Sequence, residues 1–434
     1  MVDTNPSGRE SSAGYPRYVL GLLTCVTVLN VVDRQLLSVL IDPIKAEFGV
    51  SDAAMGLLTG TSFALVHVAV ILPIAAWADR GVRRSIIALA LGVWSGFTLL
   101  TGFARGFTEM FLVRLGVGVG EAGGSAPAHS LLSDYFPQER RTSAFAVFVM
   151  GGPLGSMIAF AGGGFMSERY GWRMAFLLFG VLGMLLAVLL RLTVREPRRG
   201  ASEGESGDGP PLPLGRALRF LAGIRSYRHL ALASGLNSVG LYAVLVWAVP
   251  YLMRVHGLSI AEAGIRLAIA AGLSTALGTL ACGVLADRLS ARDLRWLAWL
   301  PAITSALTVP FGLGFAFAPS ASTSVLLLAP ASFFAGTYFA PVFSAVQGVS
   351  APRTRAVAAA SVTIVNNLLG LAIAAPLAGW LNDSLGVSYG SESIRYSLAI
   401  MLFAHLGAAF LLFRSASSLS SDFHARRQLL EDES

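Results

Sequence analysis

The chain has 434 residues, of which 54% are hydrophobic and only 13% charged, and its mean hydropathy is +0.66. A soluble domain carries about 25% charged residues, so this composition excludes one and predicts a polytopic membrane protein. The formal charge of +7 must then be explained by membrane topology before any partner is invoked.

Residues 1–17 are polar, include Asp3 and Glu10, and precede a long apolar stretch interrupted by charge, unlike a cleavable leader. They read as an N-terminal tail. Apolar stretches long enough to cross about 30 Å of hydrocarbon then recur between short polar breaks. They begin near Tyr18, Ala53, Ser85, Phe107, Thr142 and Met174, and again near Tyr227, Ile260, Leu294, Ser322, Ala356 and Ser393. Each must be helical, because a lipid-exposed span satisfies its own backbone hydrogen bonds. The expected fold is an all-α membrane protein of twelve transmembrane helices.

Two spans carry charge where it is expensive. Asp33 and Arg34 lie inside the first, and Arg114 and Glu121 inside the fourth. An Asp or Arg at the centre of a membrane helix costs about 2.5–3.5 kcal/mol, so such groups pair, face a wet cavity or do chemistry. Arg114, Gly118, Glu121 and Ser125 share one helical face, as do Asn30, Asp33, Arg34 and Leu37. If both faces turn to a central cavity, two acids and two guanidiniums form one cluster. Asp33 is then the first choice of proton carrier and Glu121 the second, with Arg34 and Arg114 as pairing groups able to hold a phosphate bidentately. A permanent structural network is the alternative.

After the second span comes Asp79-Arg80-Gly81-Val82-Arg83-Arg84, and after the eighth Asp287-Arg288-Leu289-Ser290-Ala291-Arg292. A second echo pairs Pro137-Gln138-Glu139-Arg140-Arg141 with Pro352-Arg353-Thr354-Arg355. Matching loops at about half the chain length imply two six-helix bundles, 18–194 and 226–414, with substrate bound between them near the midplane. The run 195–225 contains Gly-Asp-Gly-Pro-Pro and reads as a flexible linker, and 415–434 as a C-terminal tail. Asp79, Arg80, Arg83, Arg84, Arg140, Arg141, Asp287 and Arg288 are expected to form a cytoplasmic gate, the alternative being solvated topogenic loops. The segments 80–84, 140–141, 191–228, 288–295 and 353–355, with both tails, hold most of the 32 Lys and Arg. By the positive-inside rule both termini are cytoplasmic, and nucleic-acid binding is rejected.

The C-terminal half lacks deep acids but offers Asn237, Tyr242, Tyr338, Gln347, Asn366 and Asn367 as cavity-lining groups, each able instead to make a helix-packing hydrogen bond. His67 and His129 read as core histidines, Cys25 and Cys282 as core residues, and Glu262 with Arg266 as a local pair. No metal or cofactor is called for. Gly116, Gly118 and Gly120 lack the strand of a nucleotide-binding turn and no Walker lysine follows, so they serve helix packing, and transport must draw on ion or substrate gradients.

The Asp79–Arg84 loop resembles the signature loop of the major facilitator superfamily, and Arg114-Leu115-Gly116-Val117-Gly118-Val119-Gly120 resembles its helix 4 motif. More narrowly, Asn30-Val31-Val32-Asp33-Arg34, Gly118-Val119-Gly120-Glu121-Ala122, Ser133-Asp134-Tyr135-Phe136-Pro137 and Gly171-Trp172-Arg173 resemble the spinster group. That resemblance implies export of lysophospholipid or sphingosine phosphate; with the intramembrane acids the expectation is a proton-coupled carrier, a single chain being the transport unit, in a bacterial inner membrane. Ala75 departs from the superfamily loop, which has Gly there, and Gly151-Gly152-Pro153-Leu154-Gly155 matches its antiporter motif only in part. A carrier of small organic anions or drugs is the alternative within transport. An integral-membrane lipid enzyme is the alternative outside it, though no Ser/His/Asp or metal-ligand grouping supports one.

Overall fold

The computed structural model describes residues 14–136, 138–197, 214–350 and 354–431. The chain runs back and forth as twelve helical passages: α1 (Gly14–Val39), α2 (52–80), α3 (Arg83–Thr101), α4 (107–135), α5 (138–170), α6 (Trp172–Thr193), α7 (Arg225–His256), α8 (Ile260–Ser290), α9 (Trp296–Phe317), α10 (Ala321–Val349), α11 (355–389) and α12 (393–431). Their starts follow the hydropathy closely, because long apolar runs have no other way to pair their backbones in lipid. Large apolar side chains such as Leu65, Leu112, Leu185, Leu192 and Leu326 stand exposed on the outside, as a lipid-facing surface requires.

Odd-numbered helices start at the end of the molecule that holds Gly14 and both sides of the chain midpoint, here the termini end, and even-numbered helices return to it. At the opposite end the first six and last six helices lock together. Hydrogen bonds and ion pairs join the two halves there, on residues 42–61, 168, 254–261 and 372–383.

The same end contains four π-helical stretches, Leu57–Thr61, Ala159–Gly163, Ala268–Leu273 and Asn367–Ala374, in α2, α5, α8 and α11. Widened turns of this kind mark functional sites. Here they accompany backbone contact across the boundary: a Cβ on Gly60 would run into the Leu371 carbonyl oxygen, and one on Gly264 into that of Phe160. Thr61 Oγ1 donates to the Ala372 carbonyl at 2.7 Å. Small residues permit this approach and β-branched ones would not.

Two boundaries differ from the sequence reading. The predicted flexible linker contains a helix, Leu214–Gly223, that buries Ala217 and Leu221. Leu214, Ala217, Leu218 and Leu221 fall on one face, so the segment packs instead of floating. The predicted C-terminal tail begins inside α12, which continues to Glu431 and buries Ser415, Ala416 and Leu419. Cys25 is exposed, not a core residue, whereas Cys282 is buried.

Candidate functional site

The four intramembrane charges come together, in crossed pairs. Arg34 Nε donates to Glu121 Oε2 at 2.5 Å, and Arg114 Nη1 donates to Asp33 Oδ2 at 2.9 Å. Thr98 Oγ1 donates to the other oxygen, Asp33 Oδ1, at 2.6 Å. Asp33 and Arg34 are adjacent on α1, so their side chains diverge by one helical step and each finds a different residue of α4; those two residues, Arg114 and Glu121, are two turns apart. The guanidiniums also lie over aromatic faces, Arg34 at 4.5 Å from Phe63 and Arg114 at 5.1 Å from Phe176, which lowers the cost of keeping cations in a dry region.

The tetrad is unequally satisfied. Asp33 has both oxygens engaged, whereas Glu121 Oε1 is buried with no partner, as are Nε and Nη2 of Arg114. The side chain of Arg34 keeps 28% of its surface exposed while that of Glu121 keeps none. Arg34 therefore presents its guanidinium to open space and Glu121 hides behind it.

That space is a cavity between the halves, with about 790 Å³ of empty volume, part of it continuous with the outside. α1, α2 and α4 contribute Asp33, Arg34, Gln35, Ser38, Thr59 and Arg114; α7 and α11 contribute Leu241, Leu245, Val246 and Leu371, with Tyr242 the polar exception. The first wall holds the charges together with Val31, Leu37, Leu58 and Phe63, and the second is apolar but for Tyr242.

Of the other sequence candidates among the described residues, only Tyr242 lines this cavity. Asn30 lines a separate recess within the N-terminal half. Asn237 is buried, with its Oδ1 2.8 Å from His405 Nδ1, and is thus a packing partner inside the C-terminal half. Tyr338, Asn366 and Asn367 are buried and Gln347 half-buried, away from the cavity lining. Glu262 forms a capping box with Ser259 and not the local pair with Arg266. The side chains of Ser125, Asp79, Arg80 and Arg141 lie outside the described residues.

Arg83 and Arg84 are held inside their own half. Buried Arg83 binds Asp134, Ser130 and Glu196, and Arg84 donates from its backbone N to Glu196 at 2.9 Å and from Nη1 to the Val194 carbonyl at 2.8 Å. Arg140, Asp287 and Arg288 are exposed. The charged lock between halves is at the other end and was not legible as such in the sequence. Arg254 at the end of α7 reaches Asp42 Oδ1 and Asp52 Oδ2, each at 2.5 Å. Lys45 Nζ adds a contact to Asp52 at 2.5 Å and Asn382 another at 3.1 Å. Asp383 of α11 accepts from the backbone N of Asp52 at 3.0 Å and of Ala53 at 2.8 Å, capping the start of α2 from the opposite half. The Gly171-Trp172-Arg173 motif anchors this end: Arg173 grips Glu47 bidentately at 2.7 and 2.6 Å, and Trp172 Nε1 donates to Glu47 Oε2 at 2.8 Å. These contacts hold the Glu47 carboxyl below the usual carboxylate range, the Arg173 hydrogen bonds being the main cause.

Comparison with known proteins gives the same frame. Residues 23–373 match the model of the major facilitator superfamily. The chain is 31% identical to an MFS-type efflux pump of Mycolicibacterium smegmatis, over 99% of this chain and 98% of that protein. It is 30% identical to the sphingosine-1-phosphate transporter SPNS2 of Danio rerio, over 55% of this chain and 48% of that protein. In structure it resembles a bacterial homologue of the human lysosomal transporter spinster in an inward-facing, unoccupied conformation, with a TM-score of 0.85 and 28% identity, covering 95% of this chain and 99% of that one. Fold, full-length relatives and the cavity between two halves agree: the chain belongs to the major facilitator superfamily and is an integral membrane transporter, not an enzyme.

Proposed function

We propose that the chain is a proton-coupled secondary transporter that moves an amphipathic lipid with an anionic head group, of the lysophospholipid or sphingosine phosphate kind, by alternating access. The observation that carries this reading is the division of the cavity wall, with Arg34 and Arg114 on one side and Leu241, Leu245, Val246 and Leu371 on the other. A molecule with an anionic end and an apolar end matches both walls at once, and a guanidinium suits phosphate through its planar fork of donors.

Arg34 is the switch. With Glu121 ionised, its Nε is taken by the carboxylate at 2.5 Å. A proton on Glu121 removes the charge that holds Arg34 and releases the guanidinium to the head group. Asp33 does the same for Arg114 at 2.9 Å. Proton and substrate then compete for the same two cations, which couples their movements. Since basic residues concentrate at the termini end, that end is cytoplasmic. The locked end then faces outward, the state is inward-facing, and a single chain is the transport unit. A bacterial inner membrane is its place.

A drug or small-anion carrier is the second reading, favoured by the full-length similarity to the mycobacterial efflux pump. Proteoliposomes loaded with labelled lysophospholipid, sphingosine phosphate or a small organic dye anion separate the two. Release of the phospholipid species alone supports the lipid reading, and release of the dye alone overturns it.

A further inference from the structure

The N-terminal half contains a second recess, with about 400 Å³ of empty volume partly open to the outside. Among the described residues it shares no lining residue with the cavity between the halves. Its place relative to the tetrad is fixed by helix periodicity. On α1, Asn30 lies three residues before Asp33 and four before Arg34. On α3, Trp94 lies four before Thr98, whose hydroxyl donates to the Trp94 carbonyl at 2.9 Å and to Asp33 at 2.6 Å. On α4, Gly124 lies three after Glu121 and donates its N–H to the Glu121 carbonyl at 3.1 Å. Each step is about one turn, or 5.4 Å, and each leads toward the termini end. Three helices that bear the tetrad and its hydroxyl partner therefore pass from the charges to the recess in a single turn.

The recess has the chemistry to hold water. Thr27, Asn30 and His129 supply polar atoms among Trp94, Ala128 and Phe148, and a water molecule needs about 30 Å³ and two to four polar partners. His129 is exposed at its edge, with the rings of Phe145 and Phe148 5.4 and 5.2 Å away. Among the described residues no charged side chain lines it; α1 offers Thr27 and Asn30, α3 Trp94 and α5 Phe148, and Asp33, Arg34 and Glu121 lie about one turn deeper along α1 and α4. Glu121 Oε1 stands buried there without a partner.

We propose that this recess is the path by which water and protons reach Glu121 and Asp33, separate from the cavity that receives substrate. The inference rests on the proton-coupled reading and adds to it a consequence: a lipid bound over Arg34 does not close the proton path, so the acids exchange protons with substrate in place.

The test uses the full chain reconstituted in lipid and follows hydrogen–deuterium exchange of the protonated carboxyl band by infrared spectroscopy, with Glu121→Gln and Asp33→Asn to assign the band. Ala128→Leu fills the recess, and Asn30→Leu removes a polar wall at little change in volume. Both slow the exchange by about tenfold or more, equivalent to ~1.4 kcal/mol on the barrier, and Ala128→Leu leaves substrate counterflow without a gradient unchanged. Leu241→Trp, which fills the other cavity, weakens substrate binding and leaves exchange fast. Unchanged exchange in both recess variants, or slowing by Leu241→Trp alone, overturns the inference. A native chain with no gradient-driven flux whose exchange still slows in the recess variants refutes proton coupling but keeps the water path.

Discussion

Asp33 and Arg34 are neighbours in sequence but hold different partners, Asp33 the buried Arg114 at 2.9 Å and Arg34 the buried Glu121 at 2.5 Å. The two pairs differ in what surrounds them. The side chains of Asp33 and Arg114 are both nearly sealed, at 3% and 4% exposure, whereas Arg34 borders open space. The Asp33–Arg114 pair is thus the more sealed and the Arg34–Glu121 pair the more open.

Asp33→Asn therefore costs stability as well as transport. It leaves Arg114 a buried cation without a counter-charge, a loss of about 3–5 kcal/mol. Glu121→Gln costs less, because Arg34 can turn to the cavity. Thermal unfolding of the two variants in one detergent checks the order, Asp33→Asn melting lower.

Arg254→Ala unlocks the end opposite the termini. It strands Asp42, leaves Asp52 with only Lys45 and Asn382, and favours the state in which the halves part there. Spin labels placed on α2 and α11 near residues 52 and 383 read the change as a longer distance in the variant.

Gly60→Val acts in the same direction through shape. Its Cβ meets the Leu371 carbonyl oxygen, a backbone atom that cannot step aside, so the halves cannot close at that end. The variant inserts and folds, since the contact lies between halves and not within one, and transport is lost. Folded yield by size exclusion beside flux in proteoliposomes checks both statements.

Glu47 gives the end opposite the termini a pH dependence. Its carboxyl is held below the ordinary value of 4.5 by Arg173 and Trp172. The stabilisation is thus fully present above that value and lost as pH falls through the lower, folded one. The native chain loses thermal stability on acidification through that window, and Glu47→Gln flattens this part of the profile.

Much of the fold was legible because lipid allows so few solutions. Runs such as Trp172–Thr193 can only be helices there. The tetrad was legible for the same reason: Asp33, Arg34, Arg114 and Glu121 stand out against an apolar background. The crossing of the pairs was not, since it depends on how α1 and α4 are rotated against each other. The lock opposite the termini was hidden because Asp42, Lys45, Asp52, Arg254 and Asp383 sit at helix ends, where charge is ordinary. Asn30 and Asn237 show the limit of reading faces: each lies near the expected cavity in sequence, but one faces a recess of its own half and the other binds His405.

Proton coupling through Glu121 is tested most directly by gradient-driven flux of labelled lysophospholipid in proteoliposomes, native chain against Glu121→Gln, with exchange at equal pH as the reference. Coupling predicts that the native flux follows the imposed pH gradient, while the variant ignores the gradient and keeps its exchange at equal pH. A variant that still follows the gradient, or a native chain indifferent to it, contradicts the role assigned to this residue.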